Sequence, residues 1–257
     1  MSVHLRQVAL VASTLAPVVA DLSDIFGIEA CHVDPGLAIW GLENTLLPIG
    51  NNFIEVVAPT RQGTAAGRYL DRRGGDGGYM VICQTETRAL QDACRQRAAA
   101  LGVRVAYESD EREGFNIMQL HPRDLEAAFF EIDWDAKADF NGHWEPAGGT
   151  KWAAHVRRQR VREITGVELQ CKNPPALAAK WAHIAGTAVT SEDSDPVVAL
   201  DNAQLRFVPV SDGRGAGLSG IDLAVTDREA IIDAARMHNA YVNDRQIIVC
   251  GTRFYLA

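Results

Sequence analysis

The sequence predicts an α+β protein: four βαβββ units, paired into two domains, each domain a cupped mixed sheet with helices packed outside. Three observations predict it. β-branched, apolar runs that read as strands alternate with stretches whose apolar residues recur at helical spacing. The alternation restarts four times along the 257 residues, the mark of an internally repeated architecture. Two landmarks also recur at nearly one offset, Gln7 and Met80 being 73 residues apart by subtraction and Glu55 and Glu131 76 apart.

In order, "LRQVALVAS" (5–13) reads as a strand, and "TLAPVVADLSDIFGIE" as a helix with Val18, Val19, Leu22, Ile25 and Phe26 on one side, stopped by Gly27. "LAIWGLENTLLPIG" and "NFIEVVAP" follow as strands broken by Gly and Asn turns. The second unit opens with "GGYMVICQT" (77–85). Its helix, "TRALQDACRQRAAALG", sets Leu90, Cys94 and Leu101 together, and "VRVAYES", "FNIMQL" and "AAFFEID" close it. Units three ("ITGVELQC" to "AQLRFVPV") and four ("LSGIDLAVTD" to "TRFYLA") are degraded copies, the last shortened. The boundaries expected are a first domain over 1–134, a linker over 135–163 with Gly148–Gly149, and a second domain over 164–257.

Composition narrows the function classes. A net charge of −8 argues against a nucleic-acid footprint. The densest basic run, "HVRRQRVRE" (155–163), reads as a solvated helix. Five scattered cysteines without a CxxC pair read as reduced thiols, as in the cytoplasm. The first residues lack a signal-peptide pattern, and no apolar run approaches the ~18 residues of a membrane span. The partner expected is a small molecule.

One short stretch raises the chemical question. In "LHPRDLEAAFFEID" (120–133), Ala127, Phe129, Glu131 and Asp133 share one face of a strand, because successive side chains alternate. That face is either water or a cavity lining. "GRYLDRRGGDGGYMVICQT", "ACRQRAAALGVRV" and "MQLHPRDLEAAFFEID" resemble the methylmalonyl-CoA epimerase branch of the vicinal oxygen chelate (glyoxalase/bleomycin resistance/extradiol dioxygenase) superfamily. "GLENTLLPIGNNFIEVVAP" is similar to a segment of its glyoxalase-like members. The resemblance covers nearly all of 1–134 and, more faintly, 164–257.

The resemblance implies a metal-bearing cup whose ligands come from the first and last strands of each unit, here Gln7, Met80, Glu55 and Glu131. Epimerases of this branch carry His where this chain has Gln7 and Met80. Met is a soft ligand, so the implied donors are the oxygens of Gln7, Glu55 and Glu131, with Mn, Co, Ni or Zn as the ion. Around them the resemblance sets Asn44, Met80, Tyr79, His121 and Trp40 toward a substrate, although His121–Pro122 also reads as a plain turn. Of neighbours Tyr79 and Met80, alternation lets only one face the cup. The linker tryptophans could roof it. In the second half Gly166 and Gly220 occupy the first-strand places, with Phe207 and Phe254, or Arg206 and Arg253, near the last-strand ones, so no metal site is expected there.

Two functions follow. One is a glyoxalase-like isomerase, epimerase or lyase in which Glu131 or Glu55 removes a proton alpha to a carbonyl of a small acid, ketone or thioester. The other is a metal-free cup that sequesters a hydrophobic or aromatic compound. A homodimer is expected from the superfamily's habit of pairing units.

Overall fold

The computed structural model describes residues 3–192 and 195–257. The first half runs β1 (Val3–Val11), α1 (Leu15–Phe26), β2 (Leu42–Ile49), β3 (Asn52–Pro59), α2 (Ala65–Arg73), β4 (Gly77–Thr85), α3 (Arg88–Ala100), β5 (Val105–Arg112), β6 (Phe115–Leu120), α4 (Pro122–Leu125) and β7 (Phe129–Asp135). The second runs β8 (Val161–Cys171), α5 (Pro174–Ala185), β9 (Val189–Glu192), β10 (Asp195–Ala199), β11 (Gln204–Pro209), β12 (Gly217–Val225), α6 (Arg228–Met237), β13 (Tyr241–Asn243), β14 (Gln246–Val249) and β15 (Thr252–Leu256). One sheet is ordered β2-β3-β1-β4-β7-β6-β5 and the other β13-β14-β15-β12-β8-β11-β10-β9. These are the tandem units expected, two to a sheet; three are complete βαβββ units, while the first has only three strands, with a 3-10 turn over Pro35–Trp40 between α1 and β2, so its sheet has seven strands and the other eight.

Strand register makes the duplication concrete. In the parallel pair β1/β3, Gln7 lies opposite Phe53 and Ala9 opposite Glu55. In β4/β7, Met80 lies opposite Phe129 and Ile82 opposite Glu131. Gly166/Gln204 and Glu168/Arg206 repeat this in β8/β11, and Gly220/Arg253 and Asp222/Tyr255 in β12/β15. Each central antiparallel pair also carries matching bulges. The register skips Arg6 and Tyr79 between β1 and β4, and Thr165 and Ser219 between β8 and β12. In these matching bulges the bulged residue precedes the first-strand position, Gln7, Met80, Gly166 or Gly220; a further shift in β8/β12 skips Arg162.

The outer faces of the sheets and the helices share one apolar core. Phe26 of α1 meets Phe254 of β15 with ring centroids 4.9 Å apart, and Phe130 of β7 stacks on Trp181 of α5 at 4.4 Å. The central strands touch at Gly78, where an added Cβ would lie 2.4 Å from the Leu218 carbonyl oxygen. No described helix is long and apolar enough to cross a membrane.

Four local expectations need correction. Residues 155–163 are not a helix: residues 156–160 are irregular and Val161 begins β8. Arg160 there donates to the last carbonyls of α1, on Asp24 (2.5 Å) and Ile25 (2.9 Å), so its charge caps a helix end. The strand expected from residue 37 begins at Leu42, after a 3-10 turn over Pro35–Trp40. Helix α2 was not expected, and the fourth unit is complete rather than shortened, because the short β13 supplies its missing strand.

Candidate active site in the first cup

The concave face of the first sheet carries two carboxylate centres. Glu55 on β3 is only 6% exposed and accepts hydrogen bonds from Gln7 Nε2 on β1 (2.7 Å) and Asn44 Nδ2 on β2 (2.6 Å). Burial raises its pKa above the ordinary carboxylate range, and the two amide bonds oppose that rise. The sense of the Gln7 amide is fixed from behind. Trp144 Nε1–H, which can only donate, bonds Gln7 Oε1 at 3.1 Å, so the NH2 must face Glu55.

Glu131 on β7 is 5% exposed, and its Oε2 has no hydrogen-bond partner among the described residues. Burial pushes it up to about 7; hydrogen bonds from Asp133 and Gln119 pull it down, and the Glu55 charge adds to the rise. Asp133, two residues on and fully buried, is pushed well above the usual carboxylate range by burial and by the Glu131 charge and hydrogen bond. Both carboxyls of the coupled pair therefore hold a proton to higher pH than isolated carboxyls do. Asp133 also has a structural task. Its Oδ1 accepts from Met118 N (3.4 Å) where the β6/β7 ladder opens between Asn116 and Gln119.

The rest of the cup is apolar: Ala9, Val11, Leu46, Phe53, Ile82 and Phe115 pack with Tyr69 and Leu70 of α2. Trp144 and Trp152, from the chain between β7 and β8, roof it. Trp152 stands edge-on to Phe53 at 5.0 Å, Trp144 to Phe115 at 6.1 Å, and the Arg6 guanidinium lies 4.8 Å from the Trp144 ring. Tyr79 and Met80 both belong to this cluster, correcting the expectation that only one faces the cup; the bulge at Tyr79 defeats strict alternation.

The structure thus brings Gln7, Asn44, Glu55, Tyr79, Met80 and Glu131 together. It does not bring in Trp40, which is 52% exposed and packs on Tyr107, nor His121, whose Nδ1 caps α4 by accepting from Arg123 N. The sequence reading left out Gln119, which lies across the ladder from Glu131, and a role for Asp133. The signal for Asp133 was its two-residue spacing from Glu131.

A family model described as a glyoxalase-like domain matches residues 8–185, more than half of the chain. The chain belongs to the glyoxalase-like domain family. That family places it in the vicinal oxygen chelate superfamily. No curated protein matches it. Among solved structures, a methylmalonyl-CoA epimerase in complex with methylmalonyl-CoA and NH4+ is 22% identical, over 54% of this chain and 99% of the other, with a TM-score of 0.46. The methylmalonyl-CoA epimerase from Mycobacterium tuberculosis is 23% identical, over 52% and 88%, with a TM-score of 0.44. A hypothetical protein from Staphylococcus aureus is 13% identical but covers 100% of this chain and 99% of its own, with a TM-score of 0.64; it shares the whole two-sheet fold.

Members of the superfamily often use a divalent metal. In this glyoxalase-like chain the donor set does not fit one. An ion needs oxygen lone pairs aimed at one point. Here both Glu55 oxygens accept amide protons, and the Gln7 oxygen is turned toward Trp144. Among the described residues, no group of three or more His, Cys, Asp or Glu is gathered to hold an ion.

The second sheet fills the matching positions with a closed charge network. Glu168 accepts from Arg206 (3.1 Å), Arg253 (2.8 Å), Tyr255 (2.9 Å) and Ser219 (2.8 Å), while Arg206 also binds Asp222 at 2.6 Å. Burial would lower the Arg206 guanidinium, but Asp222 and Glu168 outweigh it and raise it. The concave positions are taken by Arg206, Arg253 and Tyr255; Phe207 and Phe254, the other residues considered there, lie in the core. A Cβ on Gly220 would sit 2.7 Å from the Tyr255 ring.

Proposed function

We propose that the protein is an enzyme that moves a proton alpha to a carbonyl of a small organic acid, ketone or thioester, with Glu131 as the base. The observation that carries this reading is the buried Glu131–Asp133 pair on the cup face, with one Glu131 oxygen unpartnered and its acidity poised near neutral pH. A base matched to the working pH is what proton transfer from carbon asks for, and such groups contribute about 10²–10⁴-fold. Glu131 takes the proton and the substrate becomes an enediolate or enolate. Gln7 and Asn44, each with one N–H on Glu55, keep a second N–H for the developing oxyanion. Return of the proton to either face gives isomerisation or epimerisation, and loss of a beta group gives a lyase. The reading routes no step through a metal ion. Because both carboxylates are buried, substrate entry requires the Trp144–Trp152 roof to lift.

The test is exchange in D2O. The protein is incubated with a panel of branched acyl thioesters, 2-hydroxy ketones and keto acids, and alpha-deuteration is followed by NMR. The wild type should exchange at least one class, and Glu131→Gln should lose about 10²-fold or more. A rate unchanged in the variant would sink the assignment of the base. The apolar, aromatic lining also suits a second reading, sequestration of a hydrophobic compound. Saturating ligand binding without exchange, equal in wild type and Glu131→Gln, would favour it.

A further inference from the structure

We infer that a cavity at the seam between the two sheets, outside the cup, binds a phosphorylated small molecule. The cavity has a volume of about 390 Å³, within the range of small-ligand sites, and Arg72, Arg73, Arg123 and Lys172 line it together with Tyr69 and Glu126. Four cations face one carboxylate, in a chain whose net charge is −8. They come from the end of α2, from α4 and from the residue after β8, so the tertiary fold converges them.

The bland alternative is a set of ordinary solvated surface cations. Three features weigh against it. Among the described residues Arg72, Arg123 and Lys172 form no ion pair with a carboxylate, so their convergence adds repulsion that no opposite charge offsets. Arg73 is only 5% exposed, and its Nε has no hydrogen-bond partner among the described residues. Its Nη1 is held by the carbonyls of Arg214 (2.7 Å), Gly215 (2.8 Å) and Ala216 (2.8 Å), which fixes the guanidinium, while Asp212 stands 4.0 Å away. A Cβ on Gly217 would lie 2.4 Å from Arg73 Cζ, so the position admits the guanidinium only as glycine. Arg72 is stacked 5.1 Å above the Tyr69 ring, which limits its motion. Several guanidiniums and an ammonium around one cavity match the several acceptor oxygens of phosphate esters.

The probe is inorganic pyrophosphate, titrated calorimetrically into the full chain at low salt. One site should be saturated, and the exposed pair Arg72→Gln/Lys172→Gln should weaken binding about tenfold or more. Citrate, of similar charge near neutral pH, should bind at least about tenfold more weakly. The Glu131→Gln variant should bind pyrophosphate like the wild type, which keeps this site independent of the cup. Thermal unfolding of each variant confirms that it is folded. Absence of heat up to about 10 mM pyrophosphate, an affinity unchanged in the double variant, or equal binding of citrate would overturn the inference.

Discussion

The two concave faces share the order of their central strands, their register and the bulges beside the first-strand positions, yet they treat a buried glutamate in opposite ways. On the second sheet Glu168 meets two arginines, a tyrosine and a serine, so its charge is matched and its oxygens are used. On the first, Glu131 sits beside another carboxylate and close enough to Glu55 to feel its charge, with no cation bonded to it among the described residues. One scaffold therefore yields a structural carboxylate or a proton-transfer carboxylate, according to which residues occupy equivalent rungs. At the rung of Glu55 and Glu131, the second sheet carries Arg206 and Tyr255.

The strongest way to break this comparison is to neutralise one glutamate at a time. Glu168→Gln leaves Arg253 without its carboxylate and weakens the hold on Arg206. Removing one partner of a buried pair costs about 3–5 kcal/mol, which for a protein of this size is a melting point lower by roughly 10 °C. Glu131→Gln removes a carboxylate whose ionised form meets no cation among the described residues, and should change stability by under about 1 kcal/mol, or raise it. Urea titrations of both variants at pH 7.5 measure the difference, and equal losses would erase the distinction between the faces.

Titration sharpens it further. Burial raises Glu131 to about 7 in the folded protein from an ordinary 4.5. Between those values the native state binds more protons than the unfolded chain. The Glu131 contribution is therefore fully present below about 4.5 and is lost as pH rises through about 7. Asp133, also raised, acts in the same direction. Arg206, raised further above its ordinary value, stays charged throughout and adds no slope near neutrality. Unfolding free energies at pH 5 to 8 should fall faster in the wild type than in Glu131→Gln, by up to about 1.4 kcal/mol per pH unit at the steepest. Parallel curves would place the titrating group elsewhere.

Much of this was legible beforehand because strand pairing has a period of two. The offsets of 73 and 76 residues are the duplicated register itself, and alternation put Glu131 and Asp133 on one face. What escaped were events that alternation does not encode. The bulge at Tyr79 adds a residue, so Tyr79 and Met80 both enter the cup. Trp40 and Trp144 look alike as sequence, but one ends a 3-10 turn in solvent and the other is folded back over the sheet by a chain segment without helical or strand periodicity. The arginine run around Arg160 reads as a helix by composition, while its use as a cap for α1 depends on a contact 136 residues away in sequence.

The smallest effect tests why the first cup does not present metal ligands. Trp144→Phe keeps an aromatic ring against Phe115 and Arg6 but deletes the one N–H that bonds Gln7 Oε1. Leaving that buried oxygen unpaired should cost about 1 kcal/mol. It also frees the amide to turn. With its oxygen toward Glu55, Gln7 would meet a carboxylate it can only repel, unless a cation lies between them. Mn2+ added to Trp144→Phe should therefore bind more tightly than to the wild type, as read by the loss of the free-ion EPR signal. Equal, weak binding in both would move the cause from the amide's sense to Met80, whose thioether stands at the equivalent rung of the second unit and offers a hard ion nothing.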